Sequence, residues 1–289
     1  MSQALKLISF KNNDISEIKE LDLETIKSIK NFENILEKFE ERFFLLYCIH
    51  ENCNSFSNEF SLYTNSLSAE KSHIASIDFI KINRIFGKGL INILAAFKTM
   101  LEHLETSIKR EFGEESKEFI FFKKIQAEEF DNNFSYSFCY KLRNYMQHCS
   151  IPKFEFSLQY IRDESEMPQV TSKFHFNRDD LIKNYDSWGK PVKKNLLLKE
   201  DTFCVFTTLN EFINSLNKIF FKMKDIFQFN QVKEAQEYII SLLNEKEDYI
   251  GQDYGIGNLE KEKGLKANMI KTSLLKSVND FKELINSNY

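Results

Sequence analysis

The chain has 289 residues, 42% of them hydrophobic and 28% charged, with a formal net charge of −4. Those values match globular proteins and leave ample length for a core. They exclude the global basic field of a tight, non-specific nucleic-acid binder, but not an enzyme that touches a few phosphates in a local cleft.

Glycine (8) and proline (3) are scarce, which favours long helices over a turn-rich β protein. The 29 phenylalanines beside one tryptophan read as core at helical spacing. No apolar run reaches the ~18 residues of a transmembrane helix. The start, Met1-Ser2-Gln3-Ala4, leads into no signal-peptide core. The expectation is a cytoplasmic protein that needs no membrane and keeps Cys48, Cys53, Cys139, Cys149 and Cys204 reduced. Cys48 and Cys53 flank His50 but have no second pair at zinc spacing, so no metal and no cofactor is expected.

Residues 14–50 read as helix, because Ile15, Ile18, Leu21, Ile26, Ile29, Phe32, Leu36 and Phe39 keep a three/four spacing, with a fresh turn beginning near Asp22. Residues 51–76 are polar, with short ordered pieces around Phe56, Phe60 and Tyr63. Residues 77–111 form the strongest helix, with Ile82, Ile85, Phe86, Leu90, Leu94, Phe97, Leu101 and Leu104 on one face. Gly87 and Gly89 fall inside it, each costing about 1 kcal/mol against Ala unless close packing requires it. Gly113 is a C-terminal cap, and a shorter helix follows over 114–125.

Asp131-Asn132-Asn133 signals the next helix start, and Ile151-Pro152 stops that helix near His148. Alternation over Phe154, Phe156, Leu158, Tyr160 and over Val170, Ser172, Phe174, Phe176 predicts a hairpin with a loop at 162–169. Asn177 opens a helix to about Trp188, which Gly189-Lys190-Pro191 breaks. A long helix is expected from about 199 to 227. Helices at 230–247 and 264–286 flank a glycine-bearing loop at 251–257, which lacks the features of a phosphate loop. The expected fold is therefore all-α, a helical bundle with one small β-hairpin. Its expected divisions are 1–152, 153–180 and 181–289.

The stretch Arg143-Asn144-Tyr145-Met146-Gln147-His148 carries the most chemistry. Arg143 stays cationic and can fork onto two phosphate oxygens. His148 can take or give a proton near neutral pH. Asn144 can orient His148, or hold ribose or phosphate. Such groups suit metal-free RNA cleavage, in which the ribose 2′-OH attacks the adjacent phosphorus and leaves a 2′,3′-cyclic phosphate and a 5′-OH. With 6 Arg and 5 His in the chain, chance gives about 0.3 Arg–His pairs at such spacing, and about 0.05 when a polar residue must follow the arginine. A structural reading stands beside this one: Arg143 caps carbonyls or pairs with a carboxylate, and His148 meets the helix dipole. Tyr145 and Leu142 read as core and Gln147 as surface.

Arg143 and His148 lie about 140° apart around a helix and about 7.5 Å along it, so one helix presents the pair poorly. Two copies about a twofold axis could form one composite cleft. Glu102, His103 and Glu105 are second-rank candidates. His50, His73 and His175 stand alone in sequence. Lys190, Lys193 and Lys194 read as a solvated charge run, with contact to an RNA backbone as the alternative.

Arg143-Asn144 with His148 at a helix end resembles the HEPN superfamily (higher eukaryotes and prokaryotes nucleotide-binding). The wider likeness runs through Phe97-Lys98-Thr99-Met100-Leu101-Glu102-His103-Leu104-Glu105, Phe134-Ser135-Tyr136 and Tyr140-Lys141-Leu142-Arg143 to Pro152, about residues 77–152. The resemblance implies a helical, usually dimeric domain, often a metal-independent endoribonuclease of toxin–antitoxin or anti-phage defence systems, with RNA as substrate and an antitoxin or other regulatory protein as a further partner. Some members only bind RNA, nucleotide or protein.

Overall fold

The computed structural model describes residues 5–11, 14–69, 78–161, 169–243, 253–260 and 264–286. Its contacts divide the chain into two compact units, Leu45–Lys222 and the pair of segments Met1–Phe44 and Met223–Tyr289. The expected divisions at 152 and 180 both fall inside the first of these.

The terminal segments build a four-stranded antiparallel sheet. β1 (Leu5–Lys11) and β2 (Asp14–Leu21) form one hairpin. β6 (Asp253–Glu260) and β7 (Gly264–Ile270) form another. The order is β2-β1-β6-β7, with Leu7 opposite Ile256 and Ile8 opposite Gly255. Leu7 and Ile8 are both fully buried. Successive strand residues point to opposite faces, so β1 is covered on both. Asp22 then accepts from the Thr25 amide at 2.7 Å and starts α1 (Leu23–Ala69). In this unit Phe39 of α1 packs with Phe229 of α8 (Phe229–Leu242) and Phe281 of α9 (Ser273–Asn286), at 5.6 and 5.4 Å between centroids.

The unit Leu45–Lys222 holds the motif. Short polar side chains start its helices by accepting from first-turn amides. Asp78 caps α2 (Phe79–Phe112), Ser116 caps α3 (Lys117–Asn132) and Asn133 caps α4 (Phe134–His148). Gly113 ends α2 at φ 93° and ψ 157°, a positive φ that glycine accepts without strain but outside the left-handed helical region. α4 packs against α2, α3, α6 (Lys190–Leu197) and α7 (Val205–Lys222). β3 (Phe154–Ile161), β4 (Gln169–Asn177) and β5 (Thr202–Cys204) make a second antiparallel sheet in that order. Its register places Phe154 opposite Phe176 and Phe156 opposite Phe174. Phe174 meets Phe60, Phe86 and Phe154 at 4.8, 4.9 and 4.6 Å, forming a phenylalanine core.

The fold is thus mostly helical but not all-α, because the described residues contain nine helices and seven strands in two antiparallel sheets. The helix expected over 14–50 is replaced by β2 up to Leu21, and α1 runs on to Ala69 through the expected loose stretch. The glycine-bearing segment near 251–257 contributes β6, and the segment from 264 begins as β7. Gly189-Lys190-Pro191 starts α6 rather than merely breaking a helix, since proline suits a first helical turn. α5 (Arg178–Asn184) follows the Asn177 cap, and its expected continuation to Trp188 is absent. Of the loop expected at 162–169, Gln169 begins β4, and residues 162–168 and His73 lie outside the described residues.

Candidate active site on the motif helix

α4 carries its apolar load on one side. Leu142 and Tyr145 are 0% and 1% exposed. Tyr145 stacks on the buried Trp188 at 5.9 Å between centroids and meets Tyr185 edge-on at 5.5 Å. Its hydroxyl shares a hydrogen bond with Ser150 Oγ at 3.1 Å. The opposite side is polar. At ~100° per residue, Arg143, Gln147, Asn144 and His148 fall within a single arc of ~140°. Arg143 and Asn144 are half-buried; Gln147 and His148 are exposed.

Arg143 and Asn144 are brought together. Arg143 Nη1 donates to Asn144 Oδ1 at 3.4 Å and, more closely, to Gln147 Oε1. His148 is the last residue of α4 and has no hydrogen-bond or ion-pair partner among the described residues. Asn144 is therefore directed to Arg143, and the histidine is left open. Gln147, read from sequence as plain surface, is the acceptor that holds the guanidinium. Its signal was its i+4 spacing from Arg143, which places the two side chains on one face.

The chain leaves the helix in a defined path. The Cys149 amide donates to Tyr145 O at 2.8 Å. Ile151 then lies against Gly87 of α2, where an added Cβ would stand 2.6 Å from Ile151 Cδ1. Gly87 thus makes room for the segment that follows the motif.

The other candidates do not join this arc. Glu102 pairs with Lys98 at 3.2 Å and Glu105 with Lys123 at 3.1 Å, so their charge is met elsewhere, and His103 is exposed. His50 hydrogen-bonds Asn217 Oδ1 at 2.8 Å. Burial holds its pKa below the ordinary histidine range, against the opposing effects of Asn217 and Glu51. His175 sits mid-strand opposite Glu155. Burial pushes the Cys53 thiol up to about 12 and Cys139 well above its usual range. All five cysteines are free thiols. Among the described residues, no group of three or more His, Cys, Asp or Glu is placed to hold a metal, and no helix is long and apolar enough to cross a membrane.

The electrostatic setting is local. Residues 132–154 contain no Asp or Glu, so the motif helix bears Lys141 and Arg143 uncompensated within a chain of net charge −4. A half-buried arginine and an exposed histidine on an acid-free helix can receive a phosphodiester without displacing a carboxylate. Compared with family models, curated proteins and solved structures, the chain shows no significant match to any.

Proposed function

We propose that this chain is a HEPN-like, metal-independent endoribonuclease acting as a homodimer. The observation that carries the reading is the exposed polar arc of α4, where Arg143, Asn144 and His148 stand on a helix free of acidic residues. His148 takes the proton of a ribose 2′-OH, and that oxygen attacks the adjacent phosphorus. Arg143, held by Gln147 and Asn144, meets the negative charge that builds on the phosphate oxygens. The 5′-oxygen leaves with a proton, and the products carry a 2′,3′-cyclic phosphate and a 5′-OH. The imidazolium returns that proton, so Arg143 of one chain and His148 of its twofold partner complete one site. The setting is cytoplasmic, with RNA at hand, and the biological role is that of a toxin or anti-phage effector under a protein regulator.

A second reading rests on one observation: within a single chain Arg143 bonds to its own helix while His148 has no partner among the described residues. A non-catalytic module that binds RNA, nucleotide or protein would tolerate that separation. Incubating RNA in EDTA with wild type, Arg143→Ala and His148→Ala separates the two. Cleavage to cyclic-phosphate ends by wild type alone supports the nuclease. Equal cleavage by all three proteins sinks it.

A further inference from the structure

Resting on the RNA-cleaving reading, the inference concerns a part of the chain outside the resembling stretch. α6 packs against the motif helix. The two helices together carry Lys141, Arg143, Lys190, Lys193 and Lys194 and not one Asp or Glu. Residues 187–199 are likewise acid-free, with the exposed Asp186 marking the border.

These lysines differ from others in the same unit. Lys98, Lys109, Lys123, Lys218 and Lys222 each pair with a glutamate, at 3.2, 2.5, 3.1, 2.5 and 3.2 Å. Lys141, Lys190, Lys193 and Lys194 have no carboxylate partner among the described residues. Like charges left unpaired on neighbouring helices repel one another and create a local positive field.

The geometry connects that field to the motif. Lys141, Asn144 and His148 are spaced i, i+3 and i+7, a single stripe of α4. Lys141 runs onto α6: an added Cβ on Gly189 would lie 3.7 Å from its Cε and 3.9 Å from its Nζ. Gly189, at φ 78°, begins α6 without a side-chain cap. At the other end of the stripe stands the half-buried ring of Tyr185, edge-on to Tyr145 at 5.5 Å and to Trp188 at 5.2 Å. Its hydroxyl is held above the ordinary tyrosine range by burial and then by Cys149, the residue after His148.

We infer that Lys141, Lys190, Lys193 and Lys194, with Tyr185, form the track that binds single-stranded RNA on its way to His148. The lysines neutralise successive phosphates, and Tyr185 offers a ring to a base. A cationic groove beside an aromatic platform is what an unpaired strand requires. Four neutralised phosphates give a slope of log K against log salt of about −3 for a single strand.

The test uses the full-length wild-type chain and a fluorescein-labelled, fully 2′-O-methylated 12-mer, which removes the nucleophile. Anisotropy is read from 50 to 200 mM KCl. The Lys190→Gln/Lys193→Gln/Lys194→Gln variant should bind at least tenfold more weakly at 100 mM, with the slope shallower by about 2. Tyr185→Leu should lose severalfold in affinity at unchanged slope. The charge-matched control Lys109→Gln/Lys123→Gln/Lys124→Gln should bind as wild type does, and melting temperatures show that each variant is folded. The track is overturned if wild type does not bind the 12-mer, if the Lys190 set leaves binding and slope unchanged, or if the control weakens binding equally. It is also overturned if a polyglutamate of equal charge binds as tightly as RNA. Arg143- and His148-dependent cleavage with an unaffected Lys190 variant sinks the track and leaves the site standing. Lysine-dependent binding without cleavage does the reverse.

Discussion

Gly87 and Gly89 give a matched test of packing on one helix. Helix propensity alone favours alanine over glycine by about 1 kcal/mol at either position, so both Gly→Ala changes would stabilise an isolated α2. In the folded chain the two methyls meet different neighbours. At Gly89 the new Cβ would stand 2.5 Å from both Cγ and Cδ2 of Phe56 and 3.1 Å from its Cβ. These atoms lie at the root of a side chain that is 2% exposed and held by Phe206 at 5.1 Å. The ring cannot swing clear without moving α1, and overpacking of this kind costs about 1–3 kcal/mol. The expected net loss for Gly89→Ala is up to about 2 kcal/mol, a lower urea midpoint at unchanged slope. At Gly87 the clash is with Ile151 Cδ1 alone, while Cγ1 and Cγ2 are 3.6 and 3.7 Å away. Ile151 is 45% exposed, so its terminal carbon can rotate into solvent. Gly87→Ala should then match wild type or gain up to about 1 kcal/mol. A Gly89→Ala midpoint at or above wild type would refute the packing argument.

Removing the Gln147 acceptor leaves the Arg143 guanidinium free to wander, so Gln147→Ala should slow RNA cleavage about tenfold, or about 1.4 kcal/mol, without shifting the melting temperature; an unchanged rate excludes the positioning role. Arg143→Ala and His148→Ala proteins, each inactive alone, should recover roughly a quarter of wild-type cleavage after subunit exchange, because half the dimers are mixed and each holds one intact pair; a mixture that stays inactive rules out the composite site. His50 links stability to pH. Its folded pKa is depressed, chiefly by burial, so below the ordinary value near ~6.5 the unfolded chain binds the proton first. Its stabilising effect is complete above that pH and is lost as pH falls toward its folded pKa. Melting temperatures should drop as pH falls below about 6.5, and His50→Gln should flatten that drop; parallel curves would show that another group is responsible.

The elements legible in the sequence are those whose signals are local. Asn133 caps α4 by accepting from the Tyr136 amide at 3.1 Å, and the β3–β4 hairpin follows the alternating phenylalanines. β2 reads as helix in the sequence for a specific reason. Its register slips between Leu7/Lys19 and Ile8/Glu17, leaving Ile18 as the extra residue of a bulge. The bulge interrupts the period-2 alternation at Ile18 and Ile15 is exposed, so no strand pattern shows and the spacing of Ile15, Ile18 and Leu21 reads as helix. β1 and β6 are partnered across the whole chain, Leu7 with Ile256, and Gly255 and Gly257 in β6 mimic a loop. Past residue 50, the described part of α1 buries the narrow stripe Phe56, Phe60, Tyr63, Thr64 and Leu67, which its serines and asparagines obscure.

The residues of the motif stand together in the sequence, but α6 reaches them from more than forty residues downstream. That distinction bears on the mechanism. With Leu142 and Tyr145 committed to the core, α4 has no freedom to roll. Arg143 and His148 remain at opposite ends of its polar arc, and Gln147 and Asn144 draw the arginine to its own helix. A phosphate seated at Arg143 therefore needs a proton acceptor approaching from the solvent side. In the proposed homodimer a second α4 about a twofold axis would bring its own His148 to that side. The paired lysine surfaces would then flank the cleft from both subunits, so an RNA strand entering along one α6 meets the arginine of one chain and the histidine of the other.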